Sequence, residues 1–197
     1  VKLPNTAHTA RPWRIHEIAP DFTVEDVWAL PTPGGPDDLP RLVEQTARGE
    51  FPGRDSPLIV QFLWAARWTI GAVLGLDRSG DGLDSRAASL RERLPADMRE
   101  VPAGPEFTTL PFRSVYQLHD EWAAEIANRT VHGVMHMGWV PDGAGGYRGQ
   151  MAVLVKPNGL FGAAYMAAIK PFRHLFVYPA LMRAIEREWR ASEAVDG

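Results

Sequence analysis

The chain of 197 residues contains no cysteine. That excludes disulfides, thiol nucleophiles and thiolate metal sites, and it fits a reducing, cytoplasmic setting. Basic charge is not in excess: 21 Lys and Arg stand against 24 Asp and Glu, for a net charge of −3. Without a basic field, nucleic acid is not an expected partner. No charged segment followed by an apolar run opens the sequence, so no secretory signal is expected. Long apolar runs are also scarce. The one stretch that requires testing as a membrane span, Leu58 to Leu76, is interrupted by Gln61, Arg67 and Thr69. Arg67 at its centre would cost roughly 2.5–3.5 kcal/mol in a bilayer, so a buried helix is the better reading and no membrane span is expected. The sequence holds no P-loop, no G-x-G-x-x-G and no G-x-S-x-G, which removes the commonest nucleotide and serine-hydrolase signatures.

What is present is an ordinary globular composition with seven tryptophans, 18 glycines and 17 prolines. The tryptophans must bury large areas or line a cavity. Residues 1–10 show little pattern and read as a loose lead-in. Residues 11–18 alternate, with Trp13 and Ile15 on one side, and predict a first strand. Thr23 before Glu25 and Asp26 resembles a helix cap, predicting a short helix over 24–30 that ends at Pro31. A second short helix is expected over 38–48. Ser56-Pro57 then starts a strongly apolar helix over 58–74. Asp77, Ser79, Asp81 and Gly82 imitate the opening of a calcium loop, but the twelfth position is Ala88 rather than a bidentate glutamate, so a solvated loop is expected. A short helix over 89–99 is interrupted by Pro95.

From Phe112 the hydrophobic period changes to two. Strands are expected over 112–119, 121–127, 130–140 and 147–156, the segment 121–127 by its position between strands and against its helical propensity. Over 130–140 the two faces separate: Val131, Gly133, Met135, Met137 and Trp139 on one, His132, Val134, His136, Gly138 and Val140 on the other. Neither face is charged, so both should be covered. After Gly159 the apolar spacing becomes helical, with Pro171 and Pro179 predicting kinks near 170 and 178. The fold class is therefore α+β.

Glu125-Ile-Ala-Asn-Arg-Thr-Val-His132, His136-Met-Gly-Trp-Val140, Ala152-Val-Leu-Val-Lys-Pro-Asn-Gly159 and Pro171-Phe-Arg-His174 with Tyr178-Pro179 resemble domain of unknown function 2867, an uncharacterised bacterial group. That group looks like a branch of the START-like (SRPBCC, helix-grip) superfamily. The resemblance is best over about 110–190. It implies a single domain over 1–197, in which a curved antiparallel sheet grips a long C-terminal helix. Residues 11–99 would hold the first strand and a helical elaboration, and 112–192 the strands and the helix. It also implies a cavity for a small hydrophobic molecule. The extra helices before residue 99, including 58–74, depart from the superfamily pattern and could cap that cavity.

His132 and His136 on one strand face would be about 13 Å apart, too far to share a metal, and no metal or other cofactor is expected. They read either as histidines bonded within a sheet or as an acid or base at the cavity, together with Glu125, whose carboxyl burial would raise. Glu121 shares the Glu125 face. The residues expected to contact a ligand are Tyr116, Trp122, Met135, Met137, Trp139, Tyr165, Phe172 and His174. Three functions follow: a binder of a small hydrophobic molecule, a cyclase- or hydrolase-type enzyme using the same cavity on a polyketide-like substrate, or a homodimerising or partner-binding module presenting the 58–74 helix.

Overall fold

The computed structural model describes residues 1–49, 88–127, 131–159, 166–167, 170–171 and 173–196. The expected helix at 58–74, the polar loop at 77–82, Tyr165 and Phe172 lie outside the described residues. Among the described residues, six strands form one curved antiparallel sheet: β1 Lys2–Leu3, β2 Thr23–Ala29, β3 Arg113–Gln117, β4 Glu121–Ala127, β5 Val131–Pro141 and β6 Tyr147–Pro157. Their order is β1-β2-β6-β5-β4-β3. Strands β3 to β6 thus make a meander, and its last strand returns to pair with the early β2. The helices used below are α1 Thr6–Thr9, α2 Ile15–Ile18, α3 Leu39–Arg48 and the C-terminal α4 Tyr178–Asp196.

The two faces of β5 are covered by different parts of the chain. On the histidine face, Trp13, Ile15, Ile18, Leu90, Leu94 and Met98 pack over Tyr116, Ala123, Val134, Ala152 and Leu154. On the methionine face, Leu39, Leu42 and Val43 of α3 and Tyr178, Ile185 and Trp189 of α4 pack over Trp28, Trp122, Met137, Trp139 and Met151. Two strand glycines allow this close covering. A Cβ on Gly138 would lie 2.6 Å from the Trp13 ring, and one on Gly149 would lie 2.6 Å from Leu42 on the other side of the sheet.

The structure reverses two expectations near the N-terminus. Residues 24–30 are not a helix; Thr23–Ala29 is a strand paired along β6. The register shifts between Val24 and Asp26. That bulge sets Val24 and Val27 three apart on one face, which imitates helical spacing within a strand. Residues 11–18 are not a strand; Ile15–Ile18 is a single helical turn that buries Ile15 and Ile18. Residues 1–10 are also more than a lead-in, since β1 pairs with β2 and α1 buries His8 completely. Among the described residues, the expected helix over 38–48, the four strands from 112 to 157 and a C-terminal helix form. Segment 121–127 is strand because partners on both sides satisfy its backbone. Residues 89–99 make two short 3-10 turns, Leu90–Arg93 and Ala96–Met98, with Pro95 between them. The kink expected near 178 is a π-helical turn over Arg173–Val177. Pro179 has no N–H to close a normal turn, and the widened turn accommodates that.

A candidate ligand cavity and two buried carboxylate–histidine pairs

The described residues leave a space over the methionine face of the sheet. Between that face and helices α3 and α4 lies a cavity of about 220 Å³. Ile126, Gly133, Met135, Met137, Met151 and Val153 form its floor, and Tyr178, Leu181, Ala184 and Ile185 of α4 form its roof. Phe112 closes one side, and Gln45 and Thr46 of α3 with Glu188 of α4 supply its polar groups. Met135 and Met137 reach this wall because odd-numbered β5 residues face α4. The Thr46 hydroxyl donates to the Leu42 carbonyl at 2.7 Å. The Gln45 amide Nε2 donates to the Ile185 carbonyl at 3.1 Å, and its Oε1 is buried without a partner. Glu188 is exposed at the edge, yet partial burial of its carboxylate raises its pKa, which a Gln45 hydrogen bond and Arg187 only partly offset.

Tyr178 links the cavity to a charged cluster at the start of α4. Its hydroxyl donates to Asp26 Oδ2 at 3.0 Å, and His174 Nε2 meets Asp26 Oδ1 at 2.6 Å. Arg173 and Lys2 lie 3.3 and 3.6 Å from the same carboxylate. Burial, and then the Asp26 charge, raises the Tyr178 pKa far above its ordinary range, so the phenol stays protonated.

The histidine face carries two carboxylate–histidine pairs built on one repeated register. Glu121 pairs across β4–β5 with Gly138, and Glu125 with Val134, so His136 and His132 are their diagonal neighbours. His136 Nε2 lies 2.8 Å from Glu121 Oε2, which also accepts the Tyr116 hydroxyl at 2.8 Å. The Arg14 N–H donates to Glu121 Oε1 at 2.9 Å. His132 Nε2 lies 2.8 Å from Glu125 Oε2. Glu125 also accepts the Ser89 hydroxyl at 2.5 Å and the Leu90 N–H at 3.1 Å, which anchors the first 3-10 turn to the sheet. Burial pushes the Glu121 carboxyl up, but His136, the Arg14 N–H and the Tyr116 hydroxyl outweigh it, and the pKa lies below the ordinary value. His8 Nε2 contacts His136 Nδ1 at 3.1 Å, while His8 Nδ1 is buried without a partner. Burial, with the neighbouring His136 and His16, pushes His8 down to about 2, so it is neutral at any ordinary pH. Among the described residues, no group of three or more histidine or acidic side chains is placed to hold a metal ion.

The family model described as "Protein of unknown function (DUF2867)" matches residues 18–180. The chain belongs to that family. No curated protein and no solved structure matches it. The part matched to DUF2867 contains Asp26, both carboxylate–histidine pairs, His174 and Tyr178, but neither His8 nor Glu188. Of the residues expected to contact a ligand, Met135 and Met137 line the cavity. Trp122 and Trp139 share that face but pack as core, Trp122 stacked on Phe107 and Trp139 against Trp189. His174 bonds to Asp26, and Tyr116 lies on the opposite face. His132 and Glu125 are bonded to each other and His136 to Glu121, on the face turned away from the cavity. Gln45, Ala184 and Asp26 were not legible as site residues. The only signal for Gln45 was the apolar stripe of α3, which passes it on one side.

Proposed function

We propose that this chain binds a small, largely apolar molecule in the cavity between the sheet and α4, within a helix-grip, START-like architecture. The architecture is supported by the chain order: an early strand, intervening helices, a four-strand meander returning to that strand, then a helix across the methionine face. The observation that carries the binding reading is the unfilled apolar space itself. Cores normally close-pack to near crystal density, and an apolar void forfeits dispersion contacts along its whole lining. A ligand restores those contacts. Met135, Met137 and Met151 in the floor are flexible and polarizable, suited to adapting to a varied apolar surface.

Native mass spectrometry of the purified protein, before and after exposure to an environment-sensitive hydrophobic dye, tests this. Saturable uptake of one dye per chain is expected. Ala184→Trp, which fills the cavity from α4, should weaken uptake about tenfold or more. A clean apo mass with no saturable uptake would sink the reading.

A further inference from the structure

Helix α1 is seated on the sheet by one buried side chain. Thr6–Thr9 is a single turn with no side-chain cap, and His8 is its only buried residue. Ala7 is half-buried beside the core, and Thr6 and Thr9 are exposed. The Asn5 amide donates to the Val24 carbonyl at 2.7 Å, but in the open. So short a helix has no stability of its own, and the seat of His8 supplies it.

That seat takes only a neutral imidazole. The Glu121 carboxylate can only accept, so His136 Nε2 donates to it at 2.8 Å, and His136 Nδ1 then accepts from His8 Nε2 at 3.1 Å. A further proton on His8 would sit on Nδ1, which is buried without a partner. It would also face two other imidazoles: the rings of His136 on β5 and His16 on α2 each lie 4.8 Å away, edge-on. Glu121 on β4 lies behind His136 and already accepts from His136, the Tyr116 hydroxyl of β3 and the Arg14 N–H. Arg11 stands over the Trp13 ring at 5.7 Å, and the Arg14 guanidinium is engaged by Asp97 at 2.8 Å and Glu17 at 3.4 Å. Burial, then His136 and His16, hold the His8 pKa at about 2. Released into water, the imidazole returns to about 6.5.

We infer that α1 is an acid-released latch: a proton taken up by His8 lifts residues 4–12 from the sheet while α2 and strands β2 to β6 stay folded. The opening is local because its flanks are held separately, by the β1–β2 pairing before it and by buried Trp13, Ile15 and Ile18 after it. It uncovers His136 Nδ1, so a buried carboxylate–histidine pair gains a ring nitrogen open to solvent. The closed state refuses the proton and the open state binds it. The closed-to-open ratio therefore falls about tenfold per pH unit below about pH 6.5.

Amide hydrogen exchange of the full chain, with exposure times scaled to the intrinsic rate at each pH, tests this from about pH 7.5 to about pH 5. The N–H groups of Ala7 to Arg11 are bonded within the turn. Their protection should fall about tenfold per pH unit below about pH 6.5, while the amides of β5 and β6 stay protected. The His8 ring, followed by NMR, should titrate only together with that loss. His8→Gln, whose neutral amide still donates toward His136, should make the protection of α1 independent of pH in this range. Loss of α1 protection only together with β5 and β6, a protonated His8 ring under a still-protected α1, or an unchanged pH dependence in His8→Gln overturns the inference.

Discussion

His174 Nε2 lies 2.6 Å from Oδ1 of Asp26, a carboxylate with no exposed surface, across 148 positions of sequence. The contact pins the widened turn before α4 to β2, and the Tyr178 hydroxyl on the other carboxylate oxygen pins the first turn of α4 itself. These polar contacts tie the roof of the cavity to an early strand, while its apolar side packs on the meander. Removing this carboxylate leaves the buried Tyr178 hydroxyl without its acceptor and the largely buried Arg173 without its nearer partner. Asp26→Ala should lower unfolding free energy by about 3–5 kcal/mol, and Tyr178→Phe by about 0.5–1.5 kcal/mol. Urea titrations of both variants check this. An Asp26→Ala protein as stable as the parent would show that the cluster does not hold the helix.

Gly138 is the place where β5 admits Trp13, whose ring in turn stands 5.2 Å from that of His136. A methyl group at 138 would have to displace a rigid, buried indole. Gly138→Ala should destabilise the protein by about 1–3 kcal/mol, as overpacked cores do. Combined with Trp13→Leu, which makes room, it should cost less than the sum of the two single changes. Thermal melts of the four proteins in that cycle give the coupling directly.

Acid should destabilise this fold in two stages. The folded pKa of His8 is about 2, far below the ~6.5 of an unfolded histidine. Below about pH 6.5 the unfolded chain therefore binds a proton that the folded chain refuses, and stability falls as pH falls. One such proton gives a slope of up to about 1.4 kcal/mol per pH unit. The folded pKa of Glu121 is also depressed. Its contribution is full above the ordinary carboxylate range and is lost as pH drops through the folded value, so the slope steepens there. Denaturant midpoints measured from neutral pH down to about pH 2 should show both stages. His8→Gln should flatten the upper part of the curve and leave the acidic end steep.

The Glu125–His132 pair is closed off from the cavity by the sheet, with side-chain exposures of 0% and 3%. Its removal should therefore act on stability and not on ligand uptake. Glu125→Leu should cost about 3–5 kcal/mol, leaving His132, Ser89 and the Leu90 N–H without their acceptor. Glu125→Gln should cost less. Dye affinity of the folded Gln variant should equal that of the parent. A large loss of affinity in a well-folded variant would return these residues to the binding site.

Much of this protein is determined by short stretches of sequence alone. The period-two pattern from 112 to 157 specifies the meander, and the alternation along β5 assigns methionines to one face and histidines to the other. Both follow from geometry that links a residue only to its near neighbours. The lack of charge on either face likewise determines that both are covered. Strand β2 was not legible, because a bulge at Glu25 converts a strand's spacing into a helix's, and only pairing along β6 reveals it. Tertiary structure also decided what each face is for. His132 and His136 could be placed on one side from the sequence, but their diagonal partners depend on the β4–β5 register, and their cover on where α1 and α2 return. The cavity, the anchoring of His174 by Asp26 and the unmatched oxygen of Gln45 arise between segments more than a hundred residues apart. Local periodicity carries no information about such meetings, because it constrains which way a side chain points and not what the chain later brings to face it.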